Sequence, residues 1–484
     1  MNIQHKIYLL ITGFAFTLFS CDDFLDAYPT AEMSEEDVVT NITGLRAQLN
    51  GTYRMLRDGN GSPALFSPQG MMTLSSMSGQ DLMCNDEQAA NFLYRFSEFQ
   101  VQRYGHSQSV PSDMWTIMYK IIRNANVVLD HIDNITDGEQ EERDAIKGQA
   151  LTIRSRCYFN LIRFYQHTYS IAKDKPGVPV YLTQVIEGNP RETVETVYNQ
   201  IVKDLKEAEV LLDKYERPKK DFYNKDVVFC LLANVYLTME NWVEAQKYAN
   251  KIRTSYKLMS IEKYKDGFST MNDEWVVGYT QNASDYWWYD SPACWYDFGQ
   301  NNAPWTAELL MPVKKFVEEV MKDDPRNLTI ENPLKKGYYA ATKFRELKSS
   351  GPYGDLFDMR AAEMYLVEAE CAARNNDLTT AKDVLNLLQT ERGAVVTTAT
   401  DKEALIEAIL LERRKEMWGE GLDYFDVLRL QLPVTRKMAD GWFFNLEIPA
   451  NSNKLIMMIP EKEPINNDLM EQNPNPDTDP ILKP

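Results

Sequence analysis

Residues 283–305 concentrate side chains that can stack and hydrogen-bond. Tyr286, Trp287, Trp288, Tyr289, Trp295, Tyr296, Phe298 and Trp305 are interleaved with Asn282, Asp285, Asp290, Asp297, Gln300, Asn301 and Asn302. Five of the nine Trp fall between 275 and 305, so the density is local rather than compositional. Flat rings beside planar polar groups suit a ligand with apolar C–H faces edged by hydroxyls, as a sugar ring has. No Lys or Arg lies between Lys265 and Lys314. That argues against phosphate or strongly anionic ligands held by this stretch alone, although other loops can add cations. The competing reading is that the rings form a small core of their own. Adjacent Trp287 and Trp288 cannot easily both point inward, which predicts at least one exposed ring.

Other patterns carry less chemistry. Lys and Arg total 52 against 71 Asp and Glu, a net charge of −19, which argues against a nucleic-acid partner. The four His (His5, His106, His131, His167) are far apart, so neither a His-rich metal site nor a His triad is expected, and no cofactor is called for. Glu412-Arg413-Arg414-Lys415-Glu416 resembles a catalytic acid cluster, but at helical spacing it reads more simply as an ion-paired face. Asp58-Gly59-Asn60-Gly61 resembles half of a calcium loop; without a bidentate Glu downstream it reads as a turn. Cys157 and Cys230 sit on apolar helical faces and read as small buried hydrophobes.

The elements that must position the aromatic stretch are helical. Apolar residues at three- and four-residue steps predict helices over 113–133, 143–165 and 193–215, with Ser112, Asn224, Asn241 and Asp377 as N-caps. Phe229, Leu232, Ala233, Tyr236, Ala245, Ala249 and Ile252 fall at tetratricopeptide spacing, and Tyr365, Ala369, Ala372, Ala381, Leu385 and Leu388 repeat it. The fold expected is all-α dominated, with tetratricopeptide-like helix pairs within about 111–253 and 359–430. Residues 58–110 and 266–308 read as irregular excursions too long for connectors, where binding usually sits.

At the N-terminus, Lys6 precedes an apolar run from Ile7 to Phe19 and then Ser20-Cys21. The run is short for a membrane span, which needs about 20 residues. A small residue before a cysteine is the pattern of a lipoprotein signal. Residues 1–20 then form the signal peptide, Cys21 carries the lipid anchor, and 21–484 form a single domain. The alternative is an ordinary secretory signal with an incidental cysteine.

The chain resembles the SusD/RagB family of surface lipoproteins. The resemblance runs from Cys21-Asp22-Asp23-Phe24-Leu25-Asp26 through Trp115, Tyr119, Ile122, Asn126 and Leu129 to Arg154, Tyr158, Phe159 and Pro176-Gly177-Val178-Pro179. It continues with Met359-Arg360-Ala361-Ala362-Glu363, Gly419-Glu420-Gly421, Phe425-Asp426-Val427-Leu428-Arg429 and Gln472-Asn473-Pro474. It implies an outward-facing outer-membrane lipoprotein whose helix pairs pack on a SusC-like TonB-dependent transporter. It also implies a non-catalytic ligand surface in the excursions, for oligosaccharide or, in one branch, peptide. The ligand-binding candidates are Trp287, Trp288, Tyr289, Trp295, Tyr296, Trp305 and Asn301. The family often places an aromatic and an Asn in the first excursion; Asp81, Asn85, Asp86, Phe92 and Tyr94 are the candidates there. A peptide- or glycopeptide-binding protein, an all-helical glycoside hydrolase and a repeat scaffold without a small ligand are the competing functions. The Trp-dense stretch favours sugar over peptide, no motif nominates a catalytic carboxyl pair, and a bare scaffold leaves the rings unexplained.

Overall fold

Apolar stripes at helical spacing each bury one helix face, and the observed helices follow those stripes. The structure, a computed structural model, describes residues 39–58, 67–84, 109–185, 187–282, 296, 310–326, 328–333, 335–344 and 354–476. The main elements run α1 (Ile42–Asp58), α2 (Pro68–Ser78), β1 (Leu82–Cys84), α3 (Ser109–His131), α4 (Gln140–Tyr165), α5 (Val194–Leu211), α6 (Lys225–Thr238), α7 (Trp242–Ser255) and β2 (Trp275–Tyr279). They continue with β3 (Leu310–Pro312), β4 (Thr329–Glu331), β5 (Tyr339–Ala341), β6 (Leu356–Arg360), α8 (Ala361–Arg374), α9 (Leu378–Glu391), α10 (Lys402–Glu416), α11 (Asp423–Arg429), β7 (Val434–Arg436) and β8 (Leu446–Ile448). The fold class is helical, as its residue pattern implies.

The helices expected over 113–133, 143–165 and 193–215 appear as α3, α4 and α5 with slightly shifted ends. Asn241 caps α7 by accepting from Glu244 N at 3.3 Å, and Asp377 caps α9 by accepting from Thr380 N at 3.1 Å. Asn224 occupies the cap position of α6 without a capping bond. Ser112 lies inside α3, because that helix already begins at Ser109. The described parts of the two excursions are also more regular than expected. Residues 67–84 hold α2 and β1, and residues 275–279 form β2. Ser67-Pro68 is the local signal for α2: Ser67 Oγ accepts from Gly70 N at 3.1 Å, and Pro68 takes the first turn, where its missing N–H is harmless.

α4 runs between α3 and α5 and is buried on nearly every face. Two of its arginines are met there by carboxylates. Arg154 makes a two-pronged bond to Asp204 on α5 at 2.8 and 2.9 Å, and Arg156 pairs with Asp358 on β6. Further along, α6–α7 and α8–α9 form the two repeat hairpins. Ala233, Ala245, Ala369 and Ala381 are fully buried, so each pair closes on small residues. α7 packs directly on α8: Arg253 Nε donates to Glu368 at 2.6 Å and Asn250 Nδ2 to the same carboxylate at 2.9 Å. Residues 256–360 are thus an insertion between two repeats that remain neighbours. Its described strands form antiparallel pairs: β2 with β6, β4 with β5, and β3 with β1 from before α3.

The helix crossings give a direct test. Ala245→Leu or Ala381→Leu inserts volume where no space exists, at about 1–3 kcal/mol. Both variants should melt below the wild-type protein. Unchanged melting for both would mean that the helices do not cross at these positions.

Candidate functional site

Two ladders bring distant parts of the chain to common points. In the first, Cys84 pairs with Leu310, so the stretches entering at 85 and ending at 309 meet the described fold side by side. In the second, Tyr279 pairs with Leu356, and Gln281 N donates to Asp355 at 3.2 Å. The stretches after 282 and before 354 meet there in the same way. An aromatic stack connects these points. Phe357 of β6 lies parallel to Phe344 with centroids 5.9 Å apart. Trp418 stacks on Phe344 at 6.4 Å and on Phe316 at 5.9 Å. Trp418 Nε1 then donates to Asp81 O at 3.0 Å, closing the link to β1.

An ionic network lies beneath this stack. Arg360, at the end of β6, donates to Glu274 at 2.7 Å, to Glu416 at 2.6 Å and to Glu420 at 2.6 and 2.8 Å. Arg392 joins Glu274 at 2.9 Å and Glu416 at 3.0 Å. Arg326 bridges Glu412 at 2.7 Å and Glu416 at 3.0 Å. Lys343 donates to the carbonyls of Glu416 and Trp418 and to Glu420. Burial pushes the Glu416 carboxyl up, but Arg392, Arg360 and Arg326 outweigh it and hold it well below the usual range. The charged run 412–416 is therefore ion-paired, with Glu412, Arg413 and Glu416 buried and their partners drawn from other segments. A general acid needs a raised pKa, and Glu416 has the opposite.

The stack and network define what the candidate residues do. Tyr296 is 1% exposed, packed on Phe344 at 4.7 Å, with its hydroxyl donating to Gly419 O at 3.3 Å. Asp81 is 3% exposed and paired with Arg414 at 2.5 and 2.6 Å. Both were candidates for contacting ligand; here each spends its side chain on the fold, Tyr296 on the aromatic stack and Asp81 on an ion pair to α10. Trp287, Trp288, Tyr289, Trp295, Asn301, Trp305, Asn85, Asp86, Phe92, Tyr94 and Cys21 lie outside the described residues. The inner stack of Phe316, Phe344 and Trp418 was not singled out by residue pattern. Its one local signal is Gly419-Glu420-Gly421. Gly419 and Gly421 have φ of +75° and +76°, and a Cβ would sit 2.7 Å from the Phe344 ring at the first and 2.6 Å from Met72 Cα at the second.

Residues 23–237 match a SusD-like family described as starch-binding and associating with the outer membrane, and residues 284–475 match the SusD family. The chain belongs to the SusD/RagB family. It is 20% identical to SusD-like protein P25 of Formosa agariphila over 89% of this chain and 90% of that one. A SusD-like carbohydrate binding protein from Bacteroides vulgatus superposes with a TM-score of 0.79 at 26% identity, covering 89% of this chain and 97% of that one. A SusD superfamily protein from Bacteroides thetaiotaomicron superposes at 0.75 with 22% identity, over 90% and 100%. Among the described residues no helix is long and apolar enough to cross a membrane.

Electrostatics around α8 and α11 yield a pH prediction. Burial pushes the Glu370 carboxyl up, but Arg429 at 2.7 and 2.8 Å and Arg374 at 2.8 Å outweigh it and hold it at about 2, against an ordinary 4.5. A depressed carboxylate stabilises the fold above its unfolded pKa, and that contribution is lost as pH falls through the folded value. The difference is worth about 3 kcal/mol. Glu363 and Asp423, raised by burial, act with the opposite sign, their penalty easing on acidification. Glu370→Gln should therefore lower stability at pH 7 by about 3 kcal/mol and flatten the loss of stability between about pH 5 and pH 2. A variant with the wild-type acid limb would contradict this assignment.

Proposed function

We propose that this protein captures oligosaccharide at the cell surface and passes it to a SusC-like TonB-dependent transporter, without catalysis. Residues 1–20 are removed, Cys21 carries the lipid that holds the chain to the outer membrane, and 21–484 act as one SusD-like unit. The observation that carries the reading is the convergence of the excursions. The β1–β3 and β2–β6 ladders bring Cys84, Leu310, Tyr279 and Leu356, which lie next to the stretches 85–108, 283–309 and 345–353 in sequence, around one aromatic base. The Trp-dense stretch 283–305 belongs to this set. The carbohydrate binding named for the B. vulgatus relative agrees with stacking as the mode of recognition.

Capture followed by hand-over favours weak binding, near micromolar, about −8 kcal/mol or weaker. Alanine at Trp287, Trp288 and Trp295, tested one at a time by calorimetry against a glycan panel, should abolish or strongly weaken binding for at least one. Helical content and melting should stay unchanged. Trp115 is the control: it is 2% exposed and packs edge-on against Tyr165 at 4.9 Å, so its replacement should lower stability first. Wild-type binding by all three loop variants would place the site elsewhere. The anchor is tested separately. Cys21→Ser should release the protein to soluble fractions; retention in the outer membrane without the transporter would contradict lipidation.

A further inference from the structure

A cleft lies on α3, and none of its lining residues belongs to the Phe344–Trp418 stack. It encloses about 320 Å³ between α3, the loop 179–185 and Glu463. That is the low end of small-molecule pockets, enough for about one or two sugar rings. Tyr119 and Tyr181 line it and are half buried. Tyr119 donates its hydroxyl to Pro179 O at 2.8 Å, and the Tyr181 hydroxyl accepts from Asn189 N at 3.1 Å. Both offer a ligand ring surface, and the Tyr181 hydroxyl keeps its own proton to donate.

The wall is fixed before any ligand arrives. Tyr158 accepts from Tyr181 N at 2.7 Å and donates to Tyr181 O at 2.9 Å. Asn126 Nδ2 donates to Tyr181 O at 3.0 Å, and Arg154 donates to Leu182 O at 3.0 Å. Asp130 accepts from Gln184 N at 2.9 Å. A loop held this way loses little entropy on binding.

The charge at the lip decides the ligand class. Lys120 and Arg123 lie one turn apart on α3, both exposed and both lining the cleft. No ion pair or hydrogen bond engages either side chain among the described residues. Behind the wall, Arg191 is held only by carbonyl and amide oxygens of Pro176, Gly177, Glu471 and Asn473, so its charge has no carboxylate bonded to it. The one carboxylate in the lining, Glu463, is pushed up by burial. Lys120 and Arg123 therefore present two cations to the same cleft on a chain whose net charge is −19. A guanidinium and an ammonium lining one cleft with two aromatic rings fit a pyranose that bears an anionic group, a carboxylate or a sulfate ester.

We propose that this cleft is a separate binding site for acidic sugars. It supplies the cations that the stretch from Lys265 to Lys314 lacks, and it goes beyond the reading of that stretch as a glycan platform. The test is calorimetry on the full-length chain in detergent with three probes: a galacturonic acid trisaccharide, a sulfated galactose trisaccharide and the neutral galactose trisaccharide. At least one acidic probe should bind at least tenfold tighter than the neutral one, and which arm binds names the anion. The double variant Lys120→Ala/Arg123→Ala should lose at least tenfold for that probe and leave the neutral one unchanged. Both side chains are exposed, so folding should be unaffected, and melting checks this. The Trp287→Ala, Trp288→Ala and Trp295→Ala variants should keep the acidic binding, which separates this site from the aromatic one. Acidic probes that bind no tighter than the neutral one overturn the proposal. So does a double variant that binds them like wild type.

Discussion

Glu416 is the charge on which the rest of the structure depends. Arg326, Arg360 and Arg392 all converge on it, and each comes from a different part of the chain. Arg326 and Arg360 belong to the insertion between the repeats, Arg392 follows α9, and Glu416 ends α10. Buried ion pairs contribute little net stability against well-packed apolar groups, but removing one partner is severe, about 3–5 kcal/mol. Their value here is registry. Three guanidinium groups with fixed forks can satisfy one carboxylate, Glu274 and Glu420 in only one arrangement of the insertion on the helices. Strands as short as β2 and β6 cannot define that arrangement by themselves.

This constraint explains the division of labour between repeats and insertion. α6–α7 and α8–α9 stack as consecutive repeats, and the chain leaves and returns between them without disturbing the stack. The base of the insertion is clamped by the network below and the Phe344–Trp418 stack above. A ligand surface on such a base is rigid where it joins the scaffold, which limits the entropy lost when ligand binds.

The parts legible from sequence are those governed by local periodicity. The stripe containing Ala245 and Ala249, and its counterpart containing Ala381 and Leu385, identify the repeat pairs because each residue's role depends on neighbours three or four positions away. Asp81 shows the limit. In a stretch rich in Met and Ser it looks like an exposed polar group, yet Arg414, which pairs with it, lies 333 residues away. Tyr296 is similar: nothing in its neighbours distinguishes an inward ring from an outward one, and Phe344 and Trp418, which bury it, come from other segments. Lys120 and Arg123 read as an ordinary solvated helix face until the loop at 179–185 folds beside them to form a cleft. Long-range partners, not residue types, separate structural from functional side chains in all three cases.

The central claim is that glycan binds on the excursions while the repeat helices serve as scaffold. Hydrogen–deuterium exchange of the full-length chain, with and without a bound neutral oligosaccharide, tests it most directly. The account predicts slowed exchange in peptides covering 283–309 and little change across α6 to α9, whose amides are already protected by buried helix packing. Protection confined to the repeat helices, with none between 283 and 309, would contradict it.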